Sequence, residues 1–508
     1  MTDSNAYRLG DPIPPRPLAA RWVICGTLTL KTAMHLGGEA TEATDMPILR
    51  DPKEGRPLLP GTTFAGALRN ALADRLAGFG KDEPQSVALL FGGARGDDEG
   101  VQSPLIVFDA VGSLPNQGSV EVRDGVAIDP ATGTAEDRKK FDYEVLPPGT
   151  TFPVRVDLLI PGGGTSAADK EHDLLCALAT ALDPFSHGET SFGARRTRGL
   201  GRVEATWRAR RFDLATAEGW TTWARSDARD PIGHDHGGCR DIVQALTKAK
   251  PDTLPAPRLL PDARCRVVMD LDLEVVHDIL IRSPGAGPHD PDVTHLHTAG
   301  QPVLSGTSLA GVMRSQALRI ARTIRATQDD ADEWVKRLFG PRFEGTRPPP
   351  GFELCASRLR VGEAVIEGGQ PATQTRIAVD RFTGGVVNGA LFDEGTQVGG
   401  RLQVRLELRD PRRGELGLVL LVIKDLLDGT LPVGGTSSVG RGQLSGSAWI
   451  TFHDGVPSPV CITLCPRKTP ESNTADRIDE AIQAFHDEPS ILSSTVAGAA
   501  HGREDGTT

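Results

Sequence analysis

The sequence predicts an α+β protein in which two ferredoxin-like units follow one another along the chain. Two observations favour this fold class: a set of motifs occurs twice in the same order, and both copies show the same alternation of strand and helix patterns. The length of 508 residues agrees with it, because such a chain is too long for a single ordinary core.

The repeat consists of four motifs that recur in the same order at offsets of 241 to 251 residues. Four ordered matches at so similar a spacing indicate a duplication. A Phe-Asp pair follows the third motif in both copies, at Phe141 and at Phe392. The pairs are "PLLPGTTFAGALRNAL" from Pro57 with "PVLSGTSLAGVMRSQAL" from Pro302, "LFGG" from Leu90 with "LFGP" from Leu338, "VAIDPATG" from Val126 with "IAVDRFTGG" from Ile377, and "FGARRTRGLGRV" from Phe192 with "VGGTSSVGRGQL" from Val433.

The repeat and the changes in composition divide the chain into five parts. The connector is rich in Pro and polar residues, and the C-terminal part is polar apart from one predicted amphipathic helix near residues 475–485. The parts are an N-terminal tail (1–21), unit 1 (22–207), the connector (208–263), unit 2 (264–450) and a partly disordered C-terminal extension (451–508).

Each unit begins with a strand and a helix. In unit 1, "RWVICGTLTLKTAMHLGG" alternates between apolar and polar residues, as a strand does. A Gly-Thr turn then opens a helix, for which Thr62 or Thr63 is the predicted N-cap. Its apolar stripe at helical spacing consists of Phe64, Leu68, Leu72, Leu76 and Phe79.

Further strands, a second helix and a closing strand complete each unit. "TFPVRVDLLI" and "RLQVRLELRD" have strand patterns, whereas "KEHDLLCALATALD" and "GELGLVLLVIKDLL" have helical patterns and lead into glycine-rich loops. This order suits a sheet backed by two helices, a scaffold that RNA-recognition domains also use.

Composition excludes several classes of protein. No apolar stretch reaches membrane-spanning length, and the first residues do not follow the pattern of a secretion signal. Seven cysteines without a CxxC pair suit a reducing compartment, so a cytoplasmic protein without a membrane partner is expected. The net charge of -11 argues against broad adhesion to nucleic acid but allows a local basic groove.

The glycine-rich loop of unit 1 is the strongest candidate for phosphate binding. Its glycines allow backbone amides to face an anion, and its arginines add forked donors that match phosphate. The alternative is a hairpin whose arginines only face water. The candidate residues are Gly193, Arg195, Arg196, Arg198, Gly199, Gly201 and Arg202.

The corresponding loop of unit 2 keeps its glycines but has a single arginine. We therefore expect Gly434, Gly435, Gly440 and Arg441 to hold a phosphate more weakly. Arg69 and Arg314, at matching positions of the two predicted helices, are further RNA-binding candidates. Aromatic residues make up only 5% of the chain, so base stacking on the sheet is not expected, and sequence would be read by a guide strand.

Taken in order, these motifs resemble the RAMP superfamily of CRISPR effector subunits, and most closely the type III backbone subunit of the Cas-seven group. The resemblance covers most of both units and implies a tandem fusion of two such subunits. It implies RAMP domains of the RRM-like type with inserted thumb hairpins, here "IDPATGTAEDRKKFDYE" and "VDRFTGGVVNGALFDEG". The implied partners are a guide CRISPR RNA, a single-stranded target RNA, and backbone, capping and large signalling subunits of a type III complex.

The resemblance also implies a cleavage site. In family members that cut target RNA, an aspartate in the loop before the first helix supports cleavage that depends on a divalent cation such as Mg²⁺. That residue is Asp45 here, which is therefore also the implied metal ligand. In unit 2 the offset places Asp290 opposite Asp45, and Asp292 is an equally suitable candidate. A carboxylate beside a phosphodiester can bind a hydrated Mg²⁺ or orient the ribose hydroxyl.

Two other groups of residues carry weaker signals. His289, His295 and His297 could assist a metal or a proton transfer, although loop histidines are more often solvated. His234, His236 and Cys239 have atoms that bind zinc but lack a four-ligand set.

Three alternative functions stay open at this point. The chain could be a scaffold of the same complex that binds RNA without cutting it. It could be a RAMP endonuclease that processes guide RNA, for which His35 is the available histidine. It could also be a duplicated scaffold unconnected with RNA.

Overall fold

The computed structural model describes residues 17–38, 44–93, 102–115, 118–129, 132, 134–162, 167–233, 238–285, 287, 290–325, 327–342, 354–453, 460–465 and 472–488. Within these ranges the chain forms two α+β units, which confirms the predicted fold class. None of the helices in this part of the chain is both long and apolar enough to cross a membrane.

Unit 1 and the connector contain the first eight strands and five helices of the described chain. They are β1 (Leu18–Leu30), β2 (Leu58–Leu59), α1 (Gly61–Ala77), α2 (Gln85–Phe91), β3 (Leu105–Val107), β4 (Ala110–Val111), β5 (Glu121–Ile128), β6 (Ala135–Val145), β7 (Thr151–Pro161), α3 (Ala167–Ser186), β8 (Val203–Asp213), α4 (Ala217–Arg225) and α5 (Ile242–Ala249).

Unit 2 repeats this order with additional short strands. Its elements are β9 (Arg266–Val275), β10 (Asp278–Ile279), β11 (Arg282–Pro284), β12 (Val293–His295), β13 (His297–Thr298), β14 (Gln301–Leu304), α6 (Gly306–Ile324), α7 (Gln328–Phe339), β15 (Leu359–Val361), β16 (Ala364–Val365), β17 (Gln370–Val379), β18 (Val386–Val398), β19 (Arg401–Arg409), α8 (Glu415–Leu427), β20 (Leu444–His453), β21 (Val460–Leu464) and α9 (Ser472–Asp487).

The main sheets of the two units have the same topology. In unit 1 the order is β3-β7-β1-β8, and in unit 2 it is β15-β19-β9-β20 with β21 added at the edge. All of these neighbours pair antiparallel. With the helices after the first and third strands, this is the ferredoxin-like order that the sequence pattern predicts.

Each sheet buries one face under its helices. In unit 1 the predicted stripe of α1 faces inward at Phe64, Leu68 and Leu72, all fully buried. The ring of Phe64 packs edge-on against Phe185 of α3 and Phe192 of the glycine-rich loop, at 5.5 and 5.8 Å between centroids. This aromatic contact ties the loop to the core of the unit.

The predicted N-cap of the first helix is wrong. Helix α1 begins at Gly61 after Pro60, and the Gly61 amide donates to the carboxylate of Asp109, which comes from the β3–β4 connection, at 2.6 Å. An acceptor from a distant segment thus replaces the local threonine. In unit 2 a local cap does form, because Ser305 accepts from the Ser308 amide at 3.2 Å.

The connector covers the other face of the unit 1 sheet. Trp223 of α4 packs edge-on against Phe212, with 5.0 Å between ring centroids. The Arg21 guanidinium lies over the Trp223 ring, 4.1 Å from its centroid. Val23 and Ile232 are buried in the same small cluster. This face is therefore unavailable as the platform for bases that RNA-recognition domains use.

A buried ion pair joins the two units. Arg123 of β5 donates to both carboxylate oxygens of Glu363, at 2.6 and 3.1 Å, and to the Thr298 hydroxyl at 2.7 Å. Glu121 accepts from that hydroxyl at 2.6 Å. The β5–β6 hairpin of unit 1 therefore reaches across and fixes its position on unit 2.

Candidate RNA interface and cleavage site

The glycine-rich loop of unit 1 is a tight turn with unusual backbone angles. A single 3₁₀ turn, Arg196–Arg198, lies between two residues in the left-handed region, Arg195 at φ 58° and Gly199 at φ 85°. Gly193 has a φ of 77°, and a side chain there would overlap the carbonyl oxygen of His35. The loop thus depends on glycine both for its angles and for its close approach to the end of the first strand.

The four arginines of this loop have different environments. Arg195 stacks over the rings of Phe141 and Tyr143, at 4.8 and 4.4 Å from their centroids. Arg196 is exposed, whereas Arg198 is half-buried, and desolvation followed by repulsion from Arg195 lowers the pKa of Arg198. Arg202 lies 4.0 Å from Glu204. The loop therefore presents positive charge with little acid to neutralise it.

An open cleft of about 760 Å³ separates this loop from the sheet of unit 2. Arg196 and Arg202 line it on one side, and Arg405 and the half-exposed Trp449 line it on the other. Acidic side chains line the cleft as well, and Arg405 is paired with Asp270 at 2.7 Å, so its unpaired positive charge lies on the side of the unit 1 loop. The acidic residues are Glu189, Asp270, Asp272, Glu363 and Glu407.

The second loop repeats the backbone but not the exposed charge. Its 3₁₀ turn, Ser437–Val439, again lies between left-handed residues, Thr436 at φ 57° and Gly440 at φ 95°. Its arginine, Arg441, is only 2% exposed. The two loops therefore have the same backbone geometry, but the arginine of the second loop is buried whereas Arg196 of the first is exposed.

Arg441, which is expected to hold a phosphate more weakly than the arginines of unit 1, is engaged by groups of its own unit. Its guanidinium donates to Glu394 at 2.6 Å and to Gln374, and it forms an ion pair with Asp278 at 2.9 Å. These partners lie on different strands, so Arg441 holds the base of the β17–β18 hairpin. A phosphate could reach it only if this network opened.

The two helix arginines are also engaged. Arg69 forms a two-pronged ion pair with Glu83, at 2.6 and 2.7 Å, so much of its charge is neutralised. Arg314 donates to the carbonyl oxygens of Gly340 at 2.9 Å and Phe339 at 3.4 Å, at the end of α7. Of the two, only Arg314 is left without a carboxylate in direct contact among the described residues.

Asp45 lies at the surface and is bound to the hairpin of unit 1. Its amide donates to the Asp142 carboxylate at 2.7 Å, and the Asp142 amide donates to Asp45 Oδ2 at 3.0 Å. Next to them, Met46 pairs with Tyr143 as a parallel bridge. This reciprocal contact places two carboxylates side by side at the root of the β5–β6 hairpin.

Asp292, and not Asp290, is the structural counterpart of Asp45 in unit 2. The Asp393 amide donates to Asp292 Oδ2 at 3.1 Å, and the next residue, Val293, pairs parallel with Glu394. The Asp290 amide instead bonds within its own loop, to Gly287 at 3.1 Å. The register of the strands thus distinguishes two aspartates that sequence spacing leaves equivalent.

The donor atoms of the carboxylate pairs are of the kind that Mg²⁺ takes when a substrate completes its coordination. Mg²⁺ is commonly held by one or two carboxylates together with substrate phosphates and waters. Asp45 with Asp142, and Asp292 with Asp393, provide such pairs. No group of three or more potential metal ligands occurs within the described ranges, so a cage made of protein ligands alone is not found there.

The histidine candidates are mostly structural. His295 is buried, its Nδ1 accepts from the Ile281 amide at 3.2 Å and its Nε2 lies 3.1 Å from the Val303 carbonyl oxygen. Burial, followed by repulsion from His297, lowers its pKa to about 4. The Nδ1 of His297 lies 2.7 Å from the backbone carbonyl oxygen of His295. His295 is therefore shielded from solvent, whereas loop histidines are usually solvated.

His35, the candidate for guide processing, is only 5% exposed, and its Nδ1 lies 2.7 Å from the backbone carbonyl oxygen of Glu144. His234, His236 and His289 lie outside the described residues. Cys239, the remaining member of the possible zinc set, is buried, and its sulfur lies 3.2 Å from the Lys248 amine.

Sequence reasoning missed three site residues. Asp142 and Asp393 are the aspartates of the repeated Phe-Asp pair, so the signal was present but carried no role. Asp109 caps α1 through a contact across 48 residues, which no local pattern indicates.

Comparison with known proteins agrees with the duplication. The family model of the RAMP superfamily matches twice, at residues 27–204 and 272–445, which together make up more than half of the chain. A curated relative, the CRISPR system Cms endoribonuclease Csm3 of Streptococcus thermophilus, is 27% identical in an alignment 143 residues long that covers 23% of this chain. The aligned region spans 64% of that relative's length.

Proposed function

This chain belongs to the RAMP superfamily, and from that premise we propose that it is a guide-RNA-binding backbone subunit of a type III CRISPR effector complex that cleaves target RNA. Its partners in this proposal are a guide CRISPR RNA, a complementary single-stranded target RNA and other subunits of the complex. The similarity to an endoribonuclease of a CRISPR system supports both the complex and the activity.

One observation carries the proposal of cleavage: in both units an exposed loop aspartate accepts a hydrogen bond from the amide of a half-buried aspartate at the root of an extended hairpin. The bond from the hairpin amide to the loop carboxylate recurs in Asp45 with Asp142 and in Asp292 with Asp393, although the surrounding loop sequences differ. The return bond, from the loop amide to the hairpin carboxylate, is found for Asp45 and Asp142, whereas Asp393 accepts from Thr375 instead. A loop aspartate with only a turn-capping role would not require this repeated position beside a hairpin.

The residues of this chain would perform the following steps. The glycine-rich loop would hold the guide backbone through its amides and the exposed Arg196. A bound Mg²⁺ would supply a Lewis acid for the scissile phosphate. Asp45 would orient the attacking ribose hydroxyl, because one of its carboxylate oxygens is fixed by the Asp142 amide while the side chain stays exposed.

Asp45→Asn and Asp292→Asn test the cleavage proposal, with Asp290→Asn as a matched control. The full chain is assembled with guide RNA and its partner subunits, and cleavage of labelled complementary RNA is followed with and without Mg²⁺. We expect Asp45→Asn and Asp292→Asn each to abolish a different cut, whereas Asp290→Asn keeps both. Chelator should abolish both cuts in the wild type.

Other outcomes point to specific alternatives. Binding of target RNA without any cut in the wild type would favour a scaffold that does not cleave. Cleavage of an isolated repeat RNA in chelator would favour guide processing, although the burial of His35 argues against it. Unchanged RNA affinity after Arg195, Arg196 and Arg198 are all neutralised would remove the assignment of the loop.

A further inference from the structure

The face of the unit 2 sheet that points away from its helices carries an exposed tryptophan. In unit 1 the connector covers the equivalent face, and Arg208 of β8 donates to the Gly233 carbonyl of the connector at 2.9 Å. The offset of 241 residues that relates the two glycine-rich loops matches Arg208 with Trp449 of β20. Trp449 is 48% exposed and lines the cleft between the units. Unit 2 therefore presents an aromatic ring to solvent where unit 1 has a covered arginine.

The strand register places polar side chains around this ring. Asp270 of β9 lies directly across from Trp449, and Arg405 of β19 lies across from Asp270 on its other side. Two residues further along β9, Asp272 lies across from Gln403. The residues between them on β9 and β19 are buried, so all four polar side chains share the outer face with the tryptophan.

Two of these four polar groups have no partner within the described part of the chain. Asp270 and Arg405 engage one another in an ion pair at 2.7 Å. The carboxylate of Asp272 and the amide of Gln403 are exposed in the cleft, and neither makes a hydrogen bond or ion pair with another described residue. A ligand could therefore bond to both groups without displacing an existing contact.

The charges of the cleft favour a base over a phosphate on the side of the unit 2 sheet. Asp272 is an unpaired negative charge there and would repel a phosphate. Positive charge lies on the opposite side, where the exposed Arg196 lines the cleft. A nucleotide combines an anionic phosphate with an uncharged aromatic base. It would therefore enter with its phosphate towards unit 1 and its base towards Trp449, and a cleft of about 760 Å³ has room for it.

We propose that Trp449, Asp272 and Gln403 form a site, called the base site below, for one unpaired nucleobase that carries an amino group. The proposal rests on the proposed function, because it takes the base to belong to an RNA strand that the chain binds. Any base can stack on the Trp449 ring. An ionised carboxylate only accepts hydrogen bonds, so Asp272 suits the amino groups of guanine, cytosine and adenine better than uracil, which has none.

The base site is a single position and not a stacking surface. With aromatic residues at 5% of the chain, composition argues against a row of stacked bases, and one ring on one sheet is compatible with that. The corresponding face of unit 1 is covered by the connector and offers Arg208 instead. The two units of the repeat would therefore differ in whether they contact a base.

Trp449→Ala and Asp272→Asn are the test variants, and each has a matched control. Trp220→Ala removes a tryptophan of similar exposure, 49%, from α4 of the connector. Glu274→Gln removes an exposed carboxylate two residues beyond Asp272 on β9. Fluorescence anisotropy measures the affinity of the full chain for labelled RNA over a range of salt concentrations, and thermal unfolding checks that each variant is folded. The probes are guide RNA, the complementary target RNA, the duplex of the two, and oligocytidylate and oligouridylate of equal length.

We expect Trp449→Ala to weaken binding of single-stranded RNA about ten-fold, which lies within the range for one stacked base. Trp449→Phe should restore most of the affinity because it keeps an aromatic ring. The slope of log affinity against log salt should not change, since a base contact releases no counterions. Affinity for the duplex, whose bases are paired, should also stay the same. Asp272→Asn should reduce the preference for oligocytidylate over oligouridylate, and both controls should behave as the wild type.

The results separate the base site from the proposed function. Loss of affinity for the guide, the target or both identifies which strand supplies the base. Wild-type affinity of Trp449→Ala for every single-stranded probe would overturn the base site while the proposed function stands. A shallower salt slope in Trp449→Ala would overturn it as well, because the lost contact would then be one to phosphate.

Absence of RNA binding by the wild type would overturn the proposed function. The base site is then tested with guanosine monophosphate, through quenching of tryptophan fluorescence. Quenching in the wild type and in Trp220→Ala, but not in Trp449→Ala, would support the site and identify a free nucleotide as its ligand. Quenching in none of them, or equally in all, would overturn the site together with the function.

Discussion

The ion pair between Arg123 and Glu363 is expected to determine how firmly the two units hold together. Both side chains are 3% exposed, and two hydrogen bonds of 2.6 and 3.1 Å join them. Burial works against the charge, but Glu363 raises the pKa of Arg123 above its ordinary value. Glu363→Ala removes this partner and leaves a buried guanidinium without its counter-charge.

The expected cost of Glu363→Ala is about 3 to 5 kcal/mol, the range for breaking a buried pair on one side. That is a large part of the roughly 5 to 15 kcal/mol that stabilises a typical domain. The exposed Glu367, four residues further on, provides the matched control. Glu367→Ala should change the free energy of unfolding by no more than about 0.5 kcal/mol.

Urea unfolding followed by circular dichroism and tryptophan fluorescence measures this cost. The double variant Arg123→Met, Glu363→Leu should be more stable than either single variant, since it leaves no unpaired charge and fills the space with apolar atoms. A loss below about 1 kcal/mol for Glu363→Ala would refute the reasoning. So would a double variant whose loss equals the sum of the two single losses.

Three further predictions concern individual side chains. Folding lowers the pKa of His295 from 6.5 to about 4. The free energy of unfolding should therefore decrease by about 3 kcal/mol as the pH drops from 6.5 towards 4. In urea unfolding at a series of pH values, the free energy of unfolding of His295→Gln should decrease less over this range. Arg441→Ala should lower the free energy of unfolding by about 3 kcal/mol, because it leaves the buried Glu394 without this partner. Arg196→Ala, in the exposed loop, should change it by less than about 0.5 kcal/mol, and thermal unfolding measures both. Asp109→Ala should cost about 1 kcal/mol through the lost cap of α1, and Asp109→Asn should cost less, both measured by urea unfolding.

The sequence determined the architecture because the repeat and the periodicity are local properties of the chain. The stripe at Phe64, Leu68 and Leu72 specifies a helix with one apolar face, and such a face must be buried whatever surrounds it. Most glycines of the two loops likewise adopt a positive φ, which glycine allows without strain in any surroundings. They are Gly193, Gly199, Gly201, Gly434, Gly440 and Gly442. The family model matches twice, at 27–204 and 272–445, which agrees with the duplication that these patterns indicate.

Only the tertiary structure decided what individual charged residues do. Arg196 and Arg441 both belong to glycine-rich loops, yet one is exposed and the other is buried against Glu394, because strands distant in sequence bring that carboxylate to it. Asp290 and Asp292 differ in their partners because of strand register. Asp292 accepts a hydrogen bond from Asp393 of β18, a residue about 100 positions further along the chain. A charge's role depends on which groups fold to within a few ångströms of it, and local sequence does not contain that distance.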